Sequence, residues 1–100
     1  MPYAIVIMPR ARRLIAEARD WWNLNRAAAP ALLGDELDRA FDRIAENPNV
    51  GAPWPRRAGV RRLVLARVGF LILYRVRARA ERVEVLALWH GARGQPPPGL

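Results

Sequence analysis

Apolar and polar residues recur along this chain with two different periods, and the change of period locates its elements. Tyr3 to Met8 is a short apolar, partly β-branched run closed by Pro9, the pattern of a first strand. Pro9 suits the first turn of a helix, where its missing N–H is no loss. Beyond it, Ala11, Leu14, Ile15, Ala18, Trp21 and Trp22 recur at helical spacing, while Arg12, Arg13, Glu17, Arg19 and Asp20 take the opposite face. Asn23 to Asn25 end this helix. A second one follows Pro30: Leu33, Leu37, Ala40, Phe41 and Ile44 form its stripe, Asp35 and Glu36 sit near its positive end, and Asn47-Pro48 stops it. The short connection implies an antiparallel helix hairpin whose two stripes face a sheet.

After the helices the period shortens. Asn47 to Gly59 is rich in Pro and Gly and reads as a loop. Val60–Arg67, Phe70–Arg77 and Arg82–His90 are rich in Val, Leu and Ile and are separated by turns at Val68-Gly69 and Arg79–Glu81, the pattern of an antiparallel three-stranded meander. Phe70 to Tyr74 is apolar at both parities, so both faces of the middle strand should be covered, which places it centrally. The fold class expected is α+β: strand, antiparallel helix hairpin, then meander. Residues 1–93 form one domain in this reading. Residues 94–100, with Gln95-Pro96-Pro97-Pro98-Gly99, form a flexible Pro-rich tail.

Composition narrows the chemistry. Of the 100 residues, 17 are Arg or Lys and 9 are Asp or Glu, giving a net charge of +8, and every basic residue is Arg. Codon bias toward GC can replace Lys by Arg, but it does not create net charge. A basic surface seeking an acidic partner or a polyanion is therefore expected. The chain has no Cys and one His, which excludes disulfides, thiol catalysis, Cys-type zinc sites and any multi-His metal centre. No metal or cofactor is expected. No run of 18 apolar residues offers a membrane span, and the apolar run before Arg10, Arg12 and Arg13 is unlike a secretory signal. The expected location is the cytoplasm.

Few residues could carry chemistry. His90, at the end of the last strand beside Gly91 and Arg93, is either a general base for attack by an RNA 2′-hydroxyl, with arginines stabilising the phosphorane, or a structural cap. Arg61, Arg62, Arg75, Arg77 and Arg93 lie on or beside the meander and either bind phosphate or carboxylates or make a solvated edge that resists strand pairing. Asp35, Asp38 and Asp42 form a solvated helix face rather than a metal site. Trp21 and Trp22 cannot both point into one narrow stripe; one is core and the other a candidate partner anchor. Trp54 is a core plug or part of the same surface.

The arrangement resembles the RelE/ParE superfamily of bacterial toxins. The resemblance rests on Pro9-x-Ala11-x-x-x-x-Ile15, Asn47-Pro48-x-x-Gly51, Val60-Arg61-Arg62-Leu63, Gly69-Phe70-x-x-x-Tyr74-Arg75-Val76 and Val83-x-Val85-Leu86-x-x-x-His90-Gly91-x-Arg93, and spans Tyr3 to Arg93. It implies the toxin half of a two-gene module, held inactive by an antitoxin whose C-terminal segment wraps over it. RelE-like members cut mRNA on the ribosome; ParE-like members inhibit DNA gyrase. RelE-like members carry basic residues on the second strand and after the Gly that opens the third. Here Arg62 keeps one such position, but Val64 and Leu71 fill two others and cannot donate to an oxyanion. The resemblance thus implies a ParE-like gyrase inhibitor without catalytic residues, neutralised by a ParD-like antitoxin and reading no nucleic-acid sequence directly. The partner-binding residues expected are Trp21, Trp22, Arg61, Arg62, Arg75 and Arg93. The alternative is a RelE-like endonuclease using His90, Arg93, Arg62 and Arg75; a plain nucleic-acid-binding module is a third reading. Met8 stands where a Ser usually caps the first helix, an expected cost of about 1 kcal/mol.

Overall fold

The computed structural model describes residues 2–100. Its elements are β1 (Ala4–Ile7), α1 (Pro9–Asn25), α2 (Leu32–Glu46), β2 (Ala52–Pro53), β3 (Val60–Leu65), β4 (Phe70–Arg77) and β5 (Arg82–His90), with 3-10 turns at Ala78–Ala80 and Gly91–Arg93. The strands form one sheet in the order β1-β5-β4-β3-β2, in which β1 runs parallel to β5 and the other pairs are antiparallel. The expected α+β order and the central place of β4 are both present. A parallel pair needs a long crossover, and here the helix hairpin supplies it. Two residues inside the expected loop, Ala52 and Pro53, form a short edge strand paired with Arg62 and Arg61. Pro at an edge needs no ladder partner.

The core divides between the two faces of the sheet. On the helix side Leu33, Leu37, Ile44 and Trp22 pack against Ile72, Tyr74, Val83 and Val85. On the far side Val60, Leu73, Leu86 and Ala87 form a smaller cluster. The β4–β5 register jumps between Leu73, opposite Ala87, and Tyr74, opposite Val85, so Leu86 is the extra residue of a bulge. The bulge reverses the side-chain alternation of β5.

Two motifs far apart in sequence meet in the core. The Tyr74 hydroxyl donates to the Pro48 carbonyl at 2.8 Å and accepts from the Gly51 N–H at 2.8 Å, pinning the chain after α2 beneath β4. Burial pushes the phenol pKa up, opposed by the hydrogen bond from Gly51 and the charge of Arg61.

Two expectations change. Residues 94–100 were expected to be a mobile tail unable to pack. Instead they fold back over the far face, where Leu100 is only 6% exposed and joins the Val60 cluster. The reason is that the far face of β4 is apolar at Leu73 and needs a cover that no helix provides. Met8 indeed offers no side-chain cap to α1, but it packs against that same far-side cluster. Burial thus offsets the missing cap, and Met8→Ser is expected to change stability by less than about 1 kcal/mol, as checked by urea denaturation.

Candidate partner-binding site

Pairing between β1 and β5 stops at Ile7 and Val85, where the Met8 N–H donates to the Val85 carbonyl at 3.0 Å. Past that point α1 covers the flank of β5. Between them opens a cavity of about 250 Å³ whose walls include Leu14, Glu17 and Trp21 from α1 and Phe70, His90 and Arg93 from the sheet end. Its rim is aromatic and partly open. Trp21 is 40% exposed, Leu24 one turn on is 84% exposed, and the Arg26 guanidinium lies 5.4 Å from the Trp21 ring centre. A tryptophan left half in water beside an exposed leucine is the composition of an interface anchor.

His90 is held by its surroundings. Its ring meets Phe70 edge-on at 4.9 Å and lies 6.1 Å from Trp21. Nδ1 accepts from the Ala92 N–H at 3.3 Å and caps the last 3-10 turn. In the neutral ring the proton therefore sits on Nε2. Gly69, in the left-handed region at φ +75°, lets that nitrogen approach: a Cβ there would stand 3.3 Å from it. Arg93 lies over Trp89 at 5.4 Å. This is the geometry of a structural cap wedged between aromatic rings.

The arginines of the meander do not act as one cluster. Arg75 donates to Glu84 at 2.6 Å, and Arg77 and Arg82 close on the same carboxylate at 3.1 Å each. Glu84 is the buried charge of the core, and the hydrogen bond from Arg75, reinforced by Arg77, holds its pKa below the usual value against the effect of burial. Arg61 donates to the Gly51 carbonyl at 2.7 Å and so braces the loop. Arg62 is exposed on the far face, beside Val64, which is 55% exposed and paired directly with Leu71.

Of the residues expected to bind partners, the structure therefore brings Trp21 and Arg93 to one cavity, sets Arg62 and Arg75 on the far face, and turns Arg61 inward. Trp22 is corrected to core: it is buried, and its Nε1–H donates to the Ala29 carbonyl at 2.8 Å. Sequence reasoning missed Glu84, although a lone Glu inside an apolar strand amid arginines was a visible signal. It also missed Leu24, which escapes the helical stripe. Among the described residues no group of metal-ligating side chains converges and no helix is long and apolar enough to cross a membrane.

Comparison with known proteins bears on this geometry. No curated protein matches the sequence significantly. The fold is similar to a chain of the toxin-antitoxin complex RelBE2 from Mycobacterium tuberculosis, with a TM-score of 0.67 and 25% identity over 90% of this chain and 99% of that one. It is also similar to a chain of the chromosomal ParDE system from P. aeruginosa, with a TM-score of 0.71 and 20% identity over 88% and 95% of the two chains, a likeness of fold. Residues 5–94 match the family of the ParE toxin of type II toxin-antitoxin systems. A match over that span, on an α+β fold shared with toxins of both complexes, makes this chain a member of the ParE toxin family of the RelE/ParE superfamily.

Proposed function

We propose that this toxin acts by binding DNA gyrase and does not cut RNA. The observation that carries the reading is the cross-strand pair Val64 and Leu71, which fills the ground beside Arg62 where the resemblance to RelE-like ribonucleases implies further cations. A valine and a leucine offer nothing to a developing phosphorane charge. Arg75 is engaged by Glu84 and His90 by Ala92, which supports the same view. Incubation with gyrase, ATP and supercoiled plasmid is expected to accumulate linear DNA while ribosome-bound mRNA stays intact. Cut mRNA with untouched plasmid would reverse the reading. His90→Ala is expected to retain at least about half the gyrase inhibition, whereas loss of a general base costs on the order of 10²–10⁴ in rate.

The natural regulator in this reading is a ParD-like antitoxin with an acidic, helix-forming C-terminal segment. Trp21 and Leu24 supply an apolar anchor, and the net charge of +8 steers an acidic partner. Trp21→Ala is expected to weaken antitoxin binding by about 2 kcal/mol while shifting toxin stability by less than about 1 kcal/mol. Calorimetric titration beside thermal melts checks both, and equal losses in the two would remove Trp21 from the interface. The association rate should fall as salt is raised from about 50 to 500 mM, because the Debye length shrinks well below 10 Å.

A further inference from the structure

The far face of the sheet carries a surface with its own occupant. Leu100 sits in a socket made by Val60, Leu73, Leu86 and Ala87. The segment leading to it is held by its main chain: Arg10 donates to the Pro98 carbonyl at 2.6 Å, Arg57 reaches the Gly99 carbonyl at 3.5 Å, and the Leu100 N–H donates to the Pro97 carbonyl at 3.1 Å. One buried leucine and two carbonyls held by arginines are the means by which a groove grips an extended peptide. Gly94, exposed and at φ +74°, provides the bend from which the segment folds back.

Charge selects the occupant that fits better. Neither Arg10 nor Arg57 has a carboxylate partner among the described residues, and exposed Arg62, directly opposite Leu73 on β3, has none either. The chain's own segment, residues 94–100, carries no acidic side chain to answer them. Beside the socket the Trp54 Nε1–H is buried without a hydrogen-bond partner, although the ring packs on the same cluster. A resident that leaves three cations and a buried donor unanswered is a replaceable one.

We infer that this face is a peptide-docking groove, closed by residues 94–100 acting as a displaceable strap. Its external ligand is an extended acidic segment of a partner protein presenting one leucine to the socket. The segment enters as the strap leaves, so the strap sets the threshold for binding. The inference does not depend on gyrase as target, since it concerns a surface on the opposite side of the sheet from the helices.

The test uses full-length protein and two labelled synthetic peptides: one copying residues 94–100, and one with the same leucine but glutamates at the second and fourth positions. In the wild type the tethered strap competes at an effective concentration on the order of mM. Leu100→Asp should empty the socket while leaving the far-UV spectrum unchanged, with Leu100→Ser as the milder variant should the first fail to fold. Saturable binding is expected, at least about tenfold tighter to the variant than to the wild type. The acidic peptide should bind more tightly than the copy at low salt and lose that advantage at high salt. Absence of saturable binding to a folded variant, equal binding to variant and wild type, or no preference for the acidic peptide overturns the proposal. Gyrase inhibition measured on the same variant reads the target separately.

Discussion

Gly51→Ala is expected to lower stability by about 3 kcal/mol or more, enough to bring the melting temperature of a domain this size down on the order of 15 °C. A Cβ at this position would lie 2.5 Å from the Arg62 carbonyl oxygen and 2.6 Å from the Tyr74 hydroxyl. The first is β3 backbone and cannot yield without unpairing the sheet edge; the second is a buried ring fixed between Pro48 and Gly51. Tyr74→Phe alone removes a hydroxyl that satisfies a buried carbonyl and a buried N–H, and should cost about 1–3 kcal/mol. Because the hydroxyl is one of the two obstacles, the double variant should be less damaged than the two single losses combined. Thermal melts of the three variants check this. Strict additivity would mean that Gly51 is needed for a reason other than its contact with Tyr74.

Glu84→Gln should be the next most damaging change, at about 2 kcal/mol. Removing one partner of a buried ion pair costs about 3–5 kcal/mol when both groups are enclosed, but the three arginines here are a quarter to a half exposed, and water moderates their loss. The change also has a pH signature. The carboxylate pKa is depressed in the folded state, chiefly by the hydrogen bond from Arg75. Its stabilisation is therefore complete above the unfolded value of about 4.3 and is lost as pH falls through the lower folded value. The stability gap between wild type and Glu84→Gln should be widest near neutral pH and close on acidification, as measured by denaturant titrations at several pH values. A gap independent of pH would show that shape, not charge, is what Glu84 contributes.

Much of the fold was legible because local rules agreed with the tertiary outcome. The helical stripes, Pro9, the stop at Asn47-Pro48 and the double-sided apolar run of β4 each have a cause within a few residues. The candidate site was less legible. Two tryptophans side by side showed that one must leave the core, but helical phase alone did not say which. Packing against α2 and the bond to Ala29 assign Trp22 inward and leave Trp21 at the cavity. The arginines looked like one cluster because strand register is invisible in a sequence, and a single bulge at Leu86 reverses which β5 residues face them.

The amino-acid sequence by itself determined the order of elements, the basic surface, the exclusion of metal and thiol chemistry, and the likeness to RelE/ParE toxins, all properties carried by neighbours in the chain or by composition. Only the tertiary structure decided that β1 pairs in parallel with β5, that Glu84 gathers Arg75, Arg77 and Arg82, that Tyr74 holds the Pro48–Gly51 turn, and that Leu100 closes over the far face. Each of these joins residues brought together by the sheet. Their energies depend on distance and burial in space, and local periodicity carries no record of either.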